Sequence, residues 1–105
     1  MQKTYRFLSD PGHGWIEVPA KDVCALGIQG KISRYSYLGG RASNVMLFLE
    51  EDCDGSYFMF HAKKAGWQVT LVDTYVNHFD HSRLLPYGAG TEYDYEAQSK
   101  EMYGP

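Results

Sequence analysis

Residues 50–55 read Glu-Glu-Asp-Cys-Asp-Gly, four carboxylates and a thiol between an apolar strand-like run and a helix-like run. Carboxylate oxygens suit Mg²⁺ or Ca²⁺, but a helix-loop-helix calcium loop needs regularly spaced ligands, and Tyr57 and Met59 interrupt any such spacing. The same residues fit two other roles. Asp52 or Asp54 can cap the following helix, where a carboxylate meets orphan N–H groups and the positive end of the helix dipole. Glu50, Glu51, Asp52 and Asp54 can also form a negative patch that docks a basic protein face. Cys53 stands near the expected helix start, which lowers a thiol pKa, while Asp52 and Asp54 beside it push the other way.

Two further constellations contain residue types able to do chemistry. Pro11-Gly12-His13-Gly14-Trp15 combines an imidazole with exposed backbone N–H groups. It lacks the spacing of a dinucleotide or phosphate loop and equally describes a tight turn opening a strand. His78-Phe79-Asp80-His81 holds ligand types for zinc or iron in His78, Asp80 and His81. One short cluster in a loop also describes solvated histidines, and the reading adopted assigns no metal and no cofactor. Arg34, Tyr35, Tyr37, Arg41, Lys63, Lys64 and Arg83 mix cations with aromatics, as a sheet that reads nucleic acid would. A net charge of -3 and the lack of an RNA-sheet signature disfavour that use.

The elements that must position these residues follow from patterning. Tyr5 to Leu8 and Trp15 to Val18 are β-prone around a Pro-Gly turn and predict a hairpin. Pro19 suits a helix start. Ala20 to Leu26 is a short helix stopped by Gly27, with Ile28 folding back on Val23. Cys24, mid-helix, is expected to be a small buried residue. Ile32 to Leu38 is read as the third strand and Gly39 to Asn44 as a loop. Val45 to Leu49 is apolar at every position, which predicts a central strand covered on both faces. A second helix runs from about Gly55 to Ala65, stopped by Gly66, and a fifth strand from Val69 to Val76.

The order ββαββαβ predicts an α+β fold, a twisted, mostly antiparallel sheet of about five strands with two short helices on one face. At 105 residues the chain suits one domain, here residues 1–87. Residues 88–105 form an acidic, Tyr-rich tail, with Gly88-Ala89-Gly90 as a hinge, expected to fray or fold on a partner. Only two cysteines, no signal-peptide pattern and no apolar run long enough to span a bilayer suggest a cytoplasmic protein with reduced thiols and no membrane role.

Pro11-Gly12-His13-Gly14-Trp15 with Val18-Pro19, then Ile32-Ser33-x-Tyr35-Ser36-Tyr37, then Leu49-Glu50-Glu51-Asp52-Cys53-Asp54 resembles a set of short proteins on phages, plasmids and other bacterial mobile elements. The resemblance covers residues 4–87, with Ser82-Arg83-x-x-x-Tyr87 matching the set's tail, and departs from it in the longer 39–43 loop and after Tyr87. It implies no catalytic residue. It implies a context in which small acidic proteins bind and disable host machinery, such as CRISPR effectors or restriction enzymes. The expected function is therefore non-catalytic: an accessory or inhibitory protein docking on a host or nuclease-complex protein with a basic surface. Glu50, Glu51, Asp52 and Asp54 would steer the encounter, and Tyr35 and Tyr37, with Tyr93 and Tyr95, would supply contact area. Two alternatives stand beside it. One is a small metal- or thiol-dependent enzyme using Cys53 with His13, or His78 with His81. The other is a homodimeric structural module held by the tail.

Overall fold

The structure, a computed structural model, describes residues 1–76, 79–80, 84–87 and 95–104. Strands β1 (Gln2–Ser9) and β2 (Gly14–Pro19) form the expected antiparallel hairpin. Helix α1 (Ala20–Ala25) follows Pro19 directly. It ends as a glycine-stopped helix should: Gly27 has φ 72°, and the Ile28 N–H donates to the Val23 carbonyl at 3.3 Å. Ile28 and Val23 both enter the core. After a single 3₁₀ turn at Gln29–Lys31 come β3 (Tyr37–Arg41), β4 (Asn44–Glu50), a wide π-turn at Glu51–Gly55 and helix α2 (Ser56–Lys64). Gly66, at φ 83°, stops α2, and Trp67 donates back to the Ala62 carbonyl at 2.9 Å. Strand β5 (Gln68–Tyr75), the two-residue β6 (Leu85–Pro86) and helix α3 (Tyr95–Tyr103) complete the described elements.

The sheet order is β5-β1-β2-β4-β3-β6. Only the β1–β5 pair is parallel among these strands. This arrangement makes each early helix a crossover between parallel strands, α1 carrying the chain from β2 over β4 to β3, and α2 from β4 over β2 and β1 to β5. The two crossovers start on antiparallel strands and run in opposite directions, so a common right hand puts both helices on one face. Packing agrees. Val23 of α1 and Phe58 and Ala62 of α2 share a core with Tyr5, Ile16, Val18, Leu47 and Leu49 from the sheet.

On the opposite face Leu8, Trp15 and Phe79 form a second cluster with Tyr37, Phe48, Val76 and Leu84 against it. β4 is thus an interior strand with apolar contacts on both sides, Leu47 and Leu49 towards the helices and Phe48 away, as its unbroken apolar run predicts. Among the described residues no helix is long and apolar enough to cross a membrane.

Four expectations need correction. The third strand begins at Tyr37, not Ile32, because Ser33 and Ser36 turn inwards to a buried carboxylate and take the backbone out of the ladder. The 39–44 loop shrinks to a turn at residues 42–43, made possible by Gly40 at φ 82°. A Cβ there would overlap the Asn44 carbonyl. Cys24 is exposed, since the buried side of its short helix belongs to Asp22 and Val23. Finally, residues 95–103 of the presumed fraying tail are a helix that packs on this same chain, with Met102 against the core and Gln98 fully buried. The Gly88 to Gly90 hinge and Tyr93 lie outside the described residues.

Candidate functional site

Three strand ends meet at one end of the sheet. Trp15, near the start of β2, lies in register with Glu50 at the end of β4, and Tyr37 opens the neighbouring β3. Strand alternation sends Trp15 to the face away from the helices. There its ring stacks on Phe79 with centroids 4.0 Å apart and planes 23° apart. His13 lies 5.5 Å away on the same ring. Tyr35, Tyr37 and Tyr95 add further aromatic walls, and the whole encloses an open cleft of about 950 Å³. Asp10, Glu50, Asp52 and Cys53 also line it.

The turn that carries His13 is built by Asp10. Its Oδ1 accepts the N–H groups of Gly12 at 2.9 Å and His13 at 2.8 Å, and its Oδ2 accepts that of Phe79 at 3.2 Å. One carboxylate therefore ties the turn to the loop that brings Phe79 over Trp15. The Gly12 N–H above all, helped by those of Phe79 and His13, holds this carboxyl below its ordinary pKa.

Beneath the cleft lies Asp54, fully buried. It accepts from the Ser33 N–H at 2.9 Å, the Ser33 hydroxyl at 2.7 Å, the Ser36 hydroxyl and the Gln98 amide. The wide π-turn is what makes this possible: it swings Cys53, Asp54 and Gly55 inwards while Glu51 and Asp52 stay outside. Ser36 relays the order outward, its hydroxyl also accepting the Glu50 N–H at 3.1 Å. Glu50 in turn closes the turn from the cleft side. Its carboxylate accepts the Asp52 N–H at 3.0 Å and the Cys53 thiol at 3.1 Å.

The expected capping role therefore falls to Glu50, before the π-turn, and neither to Asp52 nor to Asp54. Asp54 is also withdrawn from the predicted docking residues, because a fully buried carboxylate with four protein donors faces no partner. The other predicted residues divide clearly. Glu50, Asp52, Tyr35 and Tyr37 converge on the cleft together with His13 and Cys53. Glu51 is exposed beside it. His78 and His81 lie outside the described residues, and among those described no cluster of His, Cys, Asp and Glu is placed to hold a metal. Asp80 is described but joins no such cluster.

Two features decide what the cleft can do. The thiol is a poor nucleophile, because burial first, then the charge of Asp54 and the hydrogen bond to Glu50, push its pKa up. The carboxylates, by contrast, keep a charge that no ion pair among the described residues neutralises. Arg6 pairs with Glu17 at 2.7 Å and Lys3 with Asp22 at 3.3 Å elsewhere on the sheet. Among the described residues no cation pairs with Glu50, Glu51 or Asp52. Sequence reasoning missed Asp10, whose position before Pro-Gly is a turn signature, and Phe79, hidden inside the presumed histidine cluster. Nothing local in the sequence marks Ser33, Ser36 or Gln98 as partners of Asp54.

Comparison of the chain with protein-family models, curated proteins and solved structures returns no match in any of the three.

Proposed function

We propose that the protein is a non-catalytic binding protein whose acidic, aromatic cleft receives a positively charged side chain from the surface of a protein partner. The observation that carries this reading is the convergence of Glu50 and Asp52, which have no ion-pair partner among the described residues, with the rings of Trp15, Tyr35 and Tyr37 in one open cleft. Carboxylates and aromatic faces share one preference, for cations. The protonated thiol supports binding over thiol catalysis. The resemblance to mobile-element proteins suggests where such a partner is found, namely in a host defence or nuclease complex.

The test uses charge reversal at exposed positions, because Glu50 braces the π-turn. Glu51→Lys with Asp52→Lys leaves the buried network intact. Wild-type protein immobilised and exposed to a bacterial lysate is expected to capture a partner that crosslinks at the cleft rim. The double variant should lose it, as should wild type once salt shortens the Debye length to about 3–4 Å. A rim-crosslinked partner that the double variant retains in full would refute the reading.

A further inference from the structure

Resting on that reading of the cleft, we infer that its ligand is the guanidinium of an arginine side chain, presented by an extended peptide segment, rather than a lysine ammonium. Three observations select it. First, the cleft offers an exposed flat surface over an aromatic floor. Trp15 and Phe79, 5% and 8% exposed, stack on each other and form its floor, and Tyr35, 51% exposed, presents the accessible ring face. A planar, weakly hydrated guanidinium stacks on such faces, whereas an ammonium keeps its water. Tyr35 already takes this kind of partner within the chain, since the Arg34 guanidinium carbon stands 5.9 Å from its ring centre.

Second, the acceptors are spread over the cleft wall. Glu50 and Asp52 sit two residues apart, joined by the Asp52 N–H to Glu50 bond. Five donors in a fixed fork can reach two such carboxylates at once, and a point charge cannot exploit that spread. Third, the Trp15 indole N–H is buried, Trp15 being 5% exposed, and finds no acceptor among the described residues. A buried donor without a partner is costly and rare. In a wall that otherwise attracts cations, this covered donor calls for an oxygen, which the backbone carbonyl of a peptide bearing the arginine supplies once the side chains over it move aside.

The experiment is an NMR titration of the ¹⁵N-labelled full chain with two capped peptides, Gly-Gly-Arg-Gly-Gly and its lysine counterpart. The indole resonances of Trp15 and Trp67 are distinguished with Trp67→Phe. The arginine peptide is expected to move the Trp15 indole resonance and to bind about 5-fold or more tightly than the lysine peptide. Asp52→Asn and, independently, Tyr35→Ala, both exposed changes, should each weaken it by about 3-fold or more. Equal affinity for the two peptides would overturn arginine selection while leaving the docking reading standing. An unmoved Trp15 indole, or full affinity in both variants, would overturn the assignment of the ligand to this cleft. Retention of a rim-crosslinked partner by the charge-reversed double variant is the separate failure of the docking reading itself.

Discussion

Replacing Asp54 tests whether the buried carboxylate organises the cleft from below. In Asp54→Ala four donors lose their acceptor: the Ser33 N–H, the Ser33 and Ser36 hydroxyls and the Gln98 amide. They are not equal. The hydroxyls can rotate, and the Gln98 amide also reaches the Lys31 carbonyl at 3.3 Å. The Ser33 N–H is fixed by the backbone and stays orphaned. At about 1–3 kcal/mol for each buried unsatisfied donor, and with partial rescue of three, the loss should be about 3–5 kcal/mol. Asp54→Asn differs instructively. Its amide oxygen can keep the Ser33 N–H and Gln98, leaving its NH₂ against the two hydroxyls, which can accept. Each hydroxyl already accepts one backbone N–H, from Tyr35 at 3.2 Å and from Glu50 at 3.1 Å, so a second bond is strained but available. We expect about 1–2 kcal/mol for this variant. Urea unfolding followed by tryptophan fluorescence separates the two, with a midpoint shift of roughly 2 M for Ala. An Ala variant within about 1 kcal/mol of wild type would refute the account of the network, given how small total stability is. Equal losses for Ala and Asn would refute the hydroxyl rotation. The Glu50 amide resonance should shift in both variants, since Ser36 links it to Asp54.

Other outcomes follow from the same geometry. Iodoacetamide should add one group to the native protein, at exposed Cys24, and a second only in denaturant, because Cys53 is buried and its thiol pKa is raised; rapid native double labelling, read by intact mass, would contradict this. Asp10 has a depressed folded pKa, so its stabilising contribution is present above the unfolded carboxylate value of about 4 and fades as pH falls below that towards the folded value. Asp10→Asn should therefore flatten the acid limb of a stability-versus-pH curve, and an unchanged limb would count against the Asp10 turn. Gly40→Ala should destabilise by roughly 2 kcal/mol or more, measured by thermal melting, since the residue would need positive φ and would meet the Asn44 carbonyl. Gln98→Ala should lower stability and also weaken binding at the cleft, because α3 contributes Tyr95 to the wall and is pinned by this amide; peptide titration alongside melting checks both.

Much of the scaffold was legible because its determinants are local. Gly27 with Ile28 and Gly66 with Trp67 announce helix ends, since a glycine with positive φ and an apolar residue behind it are needed within a few positions of each other. The apolar run Val45 to Leu49 announces an interior strand because only a strand covered on both sides has no polar face to show. The candidate site was half legible. Its acidic step, its His-Trp turn and its two tyrosines could each be named, but as separate features with rival readings.

The residue types and their periodicity by themselves determined the α+β pattern, the helix stops and the stock of carboxylates and rings. Tertiary structure alone decided how that stock was divided. The π-turn sent Asp54 inwards and left Asp52 outside, although the two stand only two positions apart, because a widened turn rotates successive side chains by an amount no local preference encodes. Pairing of β2 with β4 then set Trp15 opposite Glu50, and the long-range bonds of Asp10 to Phe79 and of Gln98 to Asp54 closed the cleft. Such contacts join residues dozens of positions apart. Their free energy exists only once the chain is folded, so no window of sequence can carry it.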